Sequence, residues 1–274
     1  MTATVLTIAG SDSGGGAGIQ ADLKAFARCG VHGTSAITAV TAQNTLGVSA
    51  IHQIPVEIVL AQVRAVLEDI GADAVKVGML GSAEVTLAVA GALDELPAGT
   101  PVVVDPVMVA ESGARLLATD AQQALVAEIL PRASVLTPNL PEARALLGLE
   151  PGGAGEDEEL EVEALARAVL ALGPGSVVLT GGHRARAVDL FVGAGEHSAV
   201  LPIEGERHAD GAAHGSGCTH SSILAAQLAL GRTPLDAARF ARRMAGAAVA
   251  RGLRDVGSGA GPVDVLDLGR MRAC

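Results

Sequence analysis

Val102-Val103-Val104-Asp105-Pro106-Val107-Met108 opens on three β-branched residues and then meets an acid and a proline. Valine is stiff at χ1 and suits a strand. With no polar residue alternating through the run, neither face of that strand is expected to meet water. Similar short runs predict strands at 5–8, 35–41, 74–77, 134–136, 177–179 and 187–192. Ala/Leu-rich periodic stretches predict helices at 17–28, 56–69, 84–96, 121–130, 160–172, 219–230 and 235–251. Strands buried on both faces and alternating with helices define an α/β chain with a mostly parallel central sheet and helices on both faces. No internal repeat or long linker interrupts it, so residues 1–274 read as one domain, with Pro151-Gly152-Gly153-Ala154-Gly155 a loop inside it.

In such sheets ligands sit at the carboxyl ends of the strands. The residues that follow the predicted strands are therefore the site candidates: Gly10-Ser11-Asp12, Gln43-Asn44, Gly78-Met79, Asp105 to Met108, Thr137-Pro138-Asn139 and Thr180-Gly181-Gly182-His183. Any one of these is an ordinary polar loop. Six on one rim are hard to explain by folding alone.

Composition narrows the classes. A chain of 274 residues buries roughly 75% of its unfolded surface, and 49% hydrophobic with 18% charged residues describes a compact globular protein. No run is long enough to span a bilayer, and the basic and apolar regions of a secretion signal are missing, which leaves the cytoplasm as the expected compartment. A net charge of −11 argues against nucleic acid as a partner. Cys29, Cys218 and Cys274 are too few and scattered for a disulfide framework or a zinc site. The run Glu156-Asp157-Glu158-Glu159 reads as a solvated entry to a helix. Trp and Tyr are absent, so a flat ring bound here lies mainly against aliphatic side chains.

His214-Gly215-Ser216-Gly217-Cys218-Thr219 runs into the apolar positions Ile223, Leu224, Ala226, Leu228 and Leu230. Gly215 to Cys218 should form the loop and first turn of that helix. Its free N–H groups and dipole favour an anion, phosphate above all, with Cys218 beside it. A plain glycine turn with a small buried cysteine fits the stretch equally well. His214, Cys218 and His220 do not have metal-site spacing, because His220 lies two residues along the same helix and faces elsewhere. His183 and His214 read as hydrogen-bonding loop residues.

The glycine-rich segment 11–22 misses the dinucleotide frame, and no Gly-Lys pair exists for a Walker A loop. Nucleophile-elbow and zinc-protease motifs are also absent. Asn139-Leu140-Pro141-Glu142 supports two readings. One is a capping box with Pro141 in the first helical turn. The other is Glu142 as a carboxylate for hydrated Mg²⁺, with Asp105 as a second.

Taken together, these segments resemble the hydroxymethylpyrimidine/phosphomethylpyrimidine kinases of thiamine biosynthesis, within the ribokinase-like superfamily. The resemblance runs nearly end to end through Thr7 to Lys24, Thr41 to Thr45, Lys76 to Leu80, Asp105 to Met108, Thr137 to Ala143, Gly181 to His183 and His214 to Cys218. It implies a ribokinase-like fold with a small β-flap at the edge, to which 48–54 could contribute, and a homodimer. It further implies ATP-dependent phosphorylation of 4-amino-5-hydroxymethyl-2-methylpyrimidine, first to the monophosphate and then to the diphosphate. On that resemblance Gln43 reads the pyrimidine, as an amide side chain reads adenine, and Gly10, Ala17, Asp22, Met79 and Val107 complete the pocket. Gly215, Gly217 and Cys218 form the anion hole and catalytic position, with Cys218 as base through a thiol pKa lowered at the helix N-terminus. Asp105, Asn139, Glu142, Thr180 and Gly182 lie by the nucleotide, and Asp105 and Glu142 by Mg²⁺. Thr180 and Glu111 stand where lysines are frequent in the family, so on that resemblance a phosphate-contacting cation is either missing or supplied by an arginine. Pyridoxine or pyridoxal kinase is the nearest alternative. A non-catalytic nucleotide sensor and an NAD-dependent oxidoreductase are more distant ones.

Overall fold

The computed structural model describes residues 1–108, 118–150, 159–181, 187–194, 199–208 and 212–271. Gly182, His183, residues 111–113, the 151–155 loop, the acids at 156–158 and Cys274 lie outside them. In chain order the elements are β1 (Thr4–Asp12), α1 (Gly18–Arg28), β2 (His32–Asn44), β3 (Gly47–Gln53), α2 (Val56–Asp69), β4 (Ala74–Val77), α3 (Ala83–Asp94) and β5 (Val102–Val104). They continue with α4 (Thr119–Ala124), β6 (Val135–Leu136), α5 (Leu140–Leu146), α6 (Glu159–Leu170), β7 (Ser176–Leu179), β8 (Asp189–Gly193), β9 (Leu201–Ile203), α7 (Ser216–Ala229), α8 (Pro234–Ala250) and α9 (Leu268–Met271).

Among the described residues nine strands make one sheet in the order β3-β2-β1-β4-β5-β6-β7-β8-β9. The centre, from β2 through β7, is parallel. Both edges are antiparallel: β3 on β2 at one side, β8 and β9 beyond β7 at the other. The expected strand at 187–192 therefore pairs antiparallel with β7 and is not another crossover strand, because the stretch between Leu179 and Asp189 is shorter than a parallel crossover needs. The β9 strand, Leu201-Pro202-Ile203, was not anticipated. Its proline is tolerated because the strand is an edge.

Side-chain alternation splits the interior in two. Leu6, Ile8, Val75, Val77, Val102, Val104, Leu136, Val177 and Leu179 pack with Val59, Val63, Val85, Val89, Ile129 and Val162 from the helices on one face. Val5, Ala74, Val103, Val135 and Val178 meet Phe26, Ile223, Leu224, Ala237 and Ala241 on the other. The expected helix at 121–130 breaks up after Ala124 into a wider turn over Leu125–Ile129 and a tight one over Leu130–Arg132. Pro131 accounts for this, since its ring clashes with the carbonyl four residues back. No helix among the described residues is long and apolar enough to cross a membrane.

Candidate active site

A cavity of about 420 Å³ opens at the carboxyl ends of the parallel strands. Gly10, Ala17, Gln43, Met79, Asp105, Val107, Asn139, Glu142, Thr180, Gly215, Gly217 and Cys218 all line it. Asp22 does not: it is fully buried behind the cavity wall, where it holds other groups in place.

At one end Gly10 allows the Met79 side chain to cross its backbone, for a Cβ there would meet Met79 Cε at 2.4 Å. Gln43 receives a hydrogen bond from Thr41 Oγ1 on Oε1 at 3.1 Å, which orients its amide. Met79 and Val107 supply the aliphatic walls.

The helix α7 starts at Ser216, as the glycine pattern predicted, with Gly215 at its N-cap in the left-handed region, φ 79°. A Cβ on Gly215 would lie 1.7 Å from the Gly16 carbonyl oxygen. Conformation and contact both demand glycine. Gly215→Ala is therefore expected to displace the loop and lower kcat by about 10²-fold or more, since a 1 Å misplacement has that effect. Steady-state kinetics on folded variant checks it, and retention of wild-type kcat would contradict the close packing.

A buried polar cluster that the residue patterns did not announce runs from the cavity wall, at Lys76 and Asp105, to Asp22 behind it. Lys76 Nζ is 3.0 and 3.1 Å from the two Asp22 oxygens and 3.9 Å from Asp105 Oδ2. Thr7 and Ser222 donate to Asp22 at 2.7 and 2.6 Å, and Ser221 donates to Asp105 at 3.0 Å. Burial works against the Lys76 ammonium, yet the charges of Asp22, Cys218 and Asp105 carry its pKa above the ordinary lysine value. A clue existed: Lys76 interrupts an otherwise apolar strand whose two faces are both covered.

Burial pushes the Cys218 thiol up to about 12, with Lys76 opposing and Asp105 and Asp22 reinforcing. Burial, the largest influence on the Cys218 sulfur, thus works against the lowered pKa expected from the helix N-terminus. Its thiol also hydrogen-bonds Asp105, whose pKa burial raises against the pull of Lys76. Asn139 and Glu142 form the capping box in full, Asn139 Oδ1 accepting from Glu142 N–H and Glu142 Oε2 from Asn139 N–H, both at 2.9 Å. Both residues nevertheless face the cavity.

His214 Nε2 lies 3.0 Å from Asp12 Oδ2, so its reading as a hydrogen-bonding loop residue holds. Burial opposes the Asp12 charge, but His214 and the backbone N–H groups of Ala17 and Gly14 hold its pKa below the usual value. His220, about 200° round α7 from Cys218, turns to Asp189 at 3.7 Å, which stands 3.8 Å from Arg242 Nε. Burial holds the His220 pKa down. Asp189 Oδ2, both His220 ring nitrogens and Arg242 Nε have no hydrogen-bond partner, and all three residues border the cavity's far end. No cluster of three or more metal-ligating side chains occurs among the described residues.

An anion-accepting helix end that faces two oxygen-donor carboxyl groups across a small-molecule cavity is the layout of an α/β phosphotransferase. Residues 12–264 match the phosphomethylpyrimidine kinase family, and the chain belongs to it. A hydroxymethylpyrimidine/phosphomethylpyrimidine kinase from Streptomyces coelicolor is 48% identical over 264 residues, 95% of this chain and 93% of that one. The solved phosphomethylpyrimidine kinase of Clostridium difficile is 39% identical, with a TM-score of 0.74 over 88% of this chain and 96% of its own. The pyridoxal kinase of Bacillus subtilis, solved as an ADP complex, is 33% identical, with a TM-score of 0.84 over 98% of this chain and 100% of its own.

Proposed function

We infer that this protein transfers the γ-phosphoryl group of ATP to the hydroxymethyl group of 4-amino-5-hydroxymethyl-2-methylpyrimidine, and then phosphorylates the monophosphate to the diphosphate, in thiamine biosynthesis. The observation that carries this reading is the continuity of one cavity from Gln43, Met79 and Val107 past Cys218 to Asp105, Glu142 and Thr180. Family membership supports it, and the ADP complex of the Bacillus subtilis neighbour supports the nucleotide.

The oriented Gln43 amide meets the aminopyrimidine edge, and Met79 and Val107 cover the ring. The first-turn N–H groups of α7 at Gly217 and Cys218 receive the phosphoryl oxygens, stabilising charge as it develops. Thr180 brings no charge, and Arg207 and Arg242 at the far end supply the cationic side of the nucleotide site. The hydroxyl proton passes to Cys218 Sγ while the thiol proton passes to Asp105. The alcohol oxygen bonds the γ-phosphorus as the β–γ bridge breaks. Burial disfavours a preformed Cys218 thiolate, and the paired transfer supplies the base without one.

Asp105 and Glu142 fit Mg²⁺: both are hard oxygen donors, and the Asp105 charge helps push Glu142 upward, a repulsion that a cation relieves. Held there through water, Mg²⁺ would neutralise charge on the nucleotide phosphates. Burial first and Asp105 second push the Glu142 carboxyl up to about 8 from 4.5. Between those values the folded chain keeps a proton that the unfolded chain releases, so stability falls as pH rises across the window. Glu142→Gln keeps the capping geometry and is expected to flatten that fall. Calorimetric midpoints recorded across the window check it, and an unchanged slope would show Glu142 ionised at neutral pH.

The enzyme works in the cytoplasm, and it pairs as a homodimer, for which the outer edge of β3 with half-exposed Ile51 offers a free strand. Light scattering after size exclusion reads the assembly. The function is tested by product mass after incubation with Mg-ATP and the aminopyrimidine alcohol, with pyridoxine in parallel. Monophosphate followed by diphosphate is expected. Pyridoxine phosphate alone would move the assignment to the chemistry of the pyridoxal kinase neighbour, and no product from either would revive a sensor.

A further inference from the structure

The hairpin that carries Gln43 and the loop that carries Cys218 come from opposite ends of the chain, yet two routes join them. The inner route starts at Ser13, whose Oγ donates to the Gln43 carbonyl at 2.6 Å and accepts from the Gln43 N–H at 2.8 Å. Next to it Asp12 gathers the N–H groups of Gly14, Gly16 and Ala17 together with His214 Nε2, at 2.7, 3.0, 2.8 and 3.0 Å. His214 then leads directly into Gly215, which is pressed on the Gly16 carbonyl.

The outer route is the segment 253–262. His214 N–H donates to the Gly261 carbonyl at 3.3 Å, the His214 carbonyl accepts from Val263 at 3.2 Å, and Leu253 N–H donates to the Pro262 carbonyl at 2.9 Å. At its far end Gly259 N–H donates to Thr45 Oγ1 at 3.2 Å, just past the end of β2. A Cβ on Gly259 would lie 1.9 Å from the Thr45 carbonyl, and one on Gly257 2.1 Å from Thr45 Oγ1. The segment and the hairpin tip therefore touch without slack. Ser13, Thr45 and the 253–262 segment are not among the cavity's lining residues, so they act on the chemistry only through others.

We propose that this closed ring of contacts makes Thr45 and Gly259 positioning residues, through which the acceptor-binding hairpin sets the place of the His214 to Cys218 loop. With the ring intact, an alcohol held at Gln43 and a phosphoryl group held at Gly217 meet in line. With it opened, each half still binds its ligand, but the two are no longer aligned. The inference rests on the function proposed above.

Gly259→Ala wedges the segment off the tip, Thr45→Val removes the acceptor oxygen while keeping the shape, and Thr45→Ser restores the oxygen. Wild-type protein is first assayed with the aminopyrimidine alcohol and with pyridoxine, and the variants are read on whichever it phosphorylates. Gly259→Ala and Thr45→Val are expected to lower kcat about tenfold, leave KM for ATP unchanged, and raise the ADP formed per phosphorylated alcohol. Thr45→Ser should bring that ratio back. An active wild type with an unchanged ratio in both variants, or a loss that only tracks the thermal midpoint, overturns the inference and leaves the function standing. Wild type inactive on both alcohols ends both.

Discussion

Cys218→Ala is expected to lower kcat/KM for phosphorylation of the pyrimidine alcohol by roughly 10²–10⁴-fold, the usual worth of positioned proton transfer. The monophosphate step should suffer far less, because its nucleophile is a phosphate oxygen already anionic at neutral pH. Only the first step has a hydroxyl proton to dispose of. Cys218→Ser should fall between, keeping a proton that can be exchanged with Asp105 while changing the size of the atom that carries it. The two steps are separated by supplying alcohol or monophosphate and following ADP release. Equal losses in both would mean that Cys218 shapes the phosphate site and moves no proton.

The largest effect on stability is expected at Lys76. Its ammonium is fully buried against Asp22, with Asp105 at 3.9 Å. Lys76→Met keeps much of the volume but strands the Asp22 carboxylate, which Thr7 and Ser222 alone cannot neutralise. Removing one partner of a buried pair costs about 3–5 kcal/mol, a large share of the total stability of a domain. Denaturant unfolding should show a midpoint well below wild type. The double variant Lys76→Met/Asp22→Asn should recover part of the loss, since Asp22 is no longer an orphan charge and only Asp105, held by Ser221, is left without the ammonium. No recovery would mean that the loss comes from packing alone.

Much of this architecture was legible because each signal was local. The valines at 102–104 show no polar alternation, and the two faces they meet are indeed both covered. Gly215 to Cys218, expected as loop and first turn, do hold the start of α7, at Ser216 and three residues ahead of the expected range 219–230. Asn139 and Glu142 were readable as a cap from spacing alone, and the same spacing gave no means of deciding that both would also face the cavity. What stayed hidden depended on contacts across long stretches of chain. Asp22 was expected in the pocket, but its partners Lys76 and Ser222 lie 54 and 200 residues away and draw it under the floor. The direction of the Cys218 pKa was hidden for the same reason: the helix end is written in the neighbouring residues, whereas the burial of the sulfur comes from the fold. The antiparallel return of β8 follows from the short spacing between 179 and 187, which leaves too little chain for a parallel crossover.

The burial of Lys76 also leaves the protein with a single outward-facing lysine amine. The sequence has two lysines, and the one left over, Lys24, extends its Nζ to the Gly15 carbonyl at 2.7 Å, on an exposed stretch of the glycine-rich loop. An acylating dye applied to the folded protein would therefore reach one lysine side chain, on the glycine-rich loop, alongside the exposed α-amine of Met1. The position of Lys76 in the fold thus leaves an ordinary coupling reagent one lysine to mark, and that lysine rides on the loop.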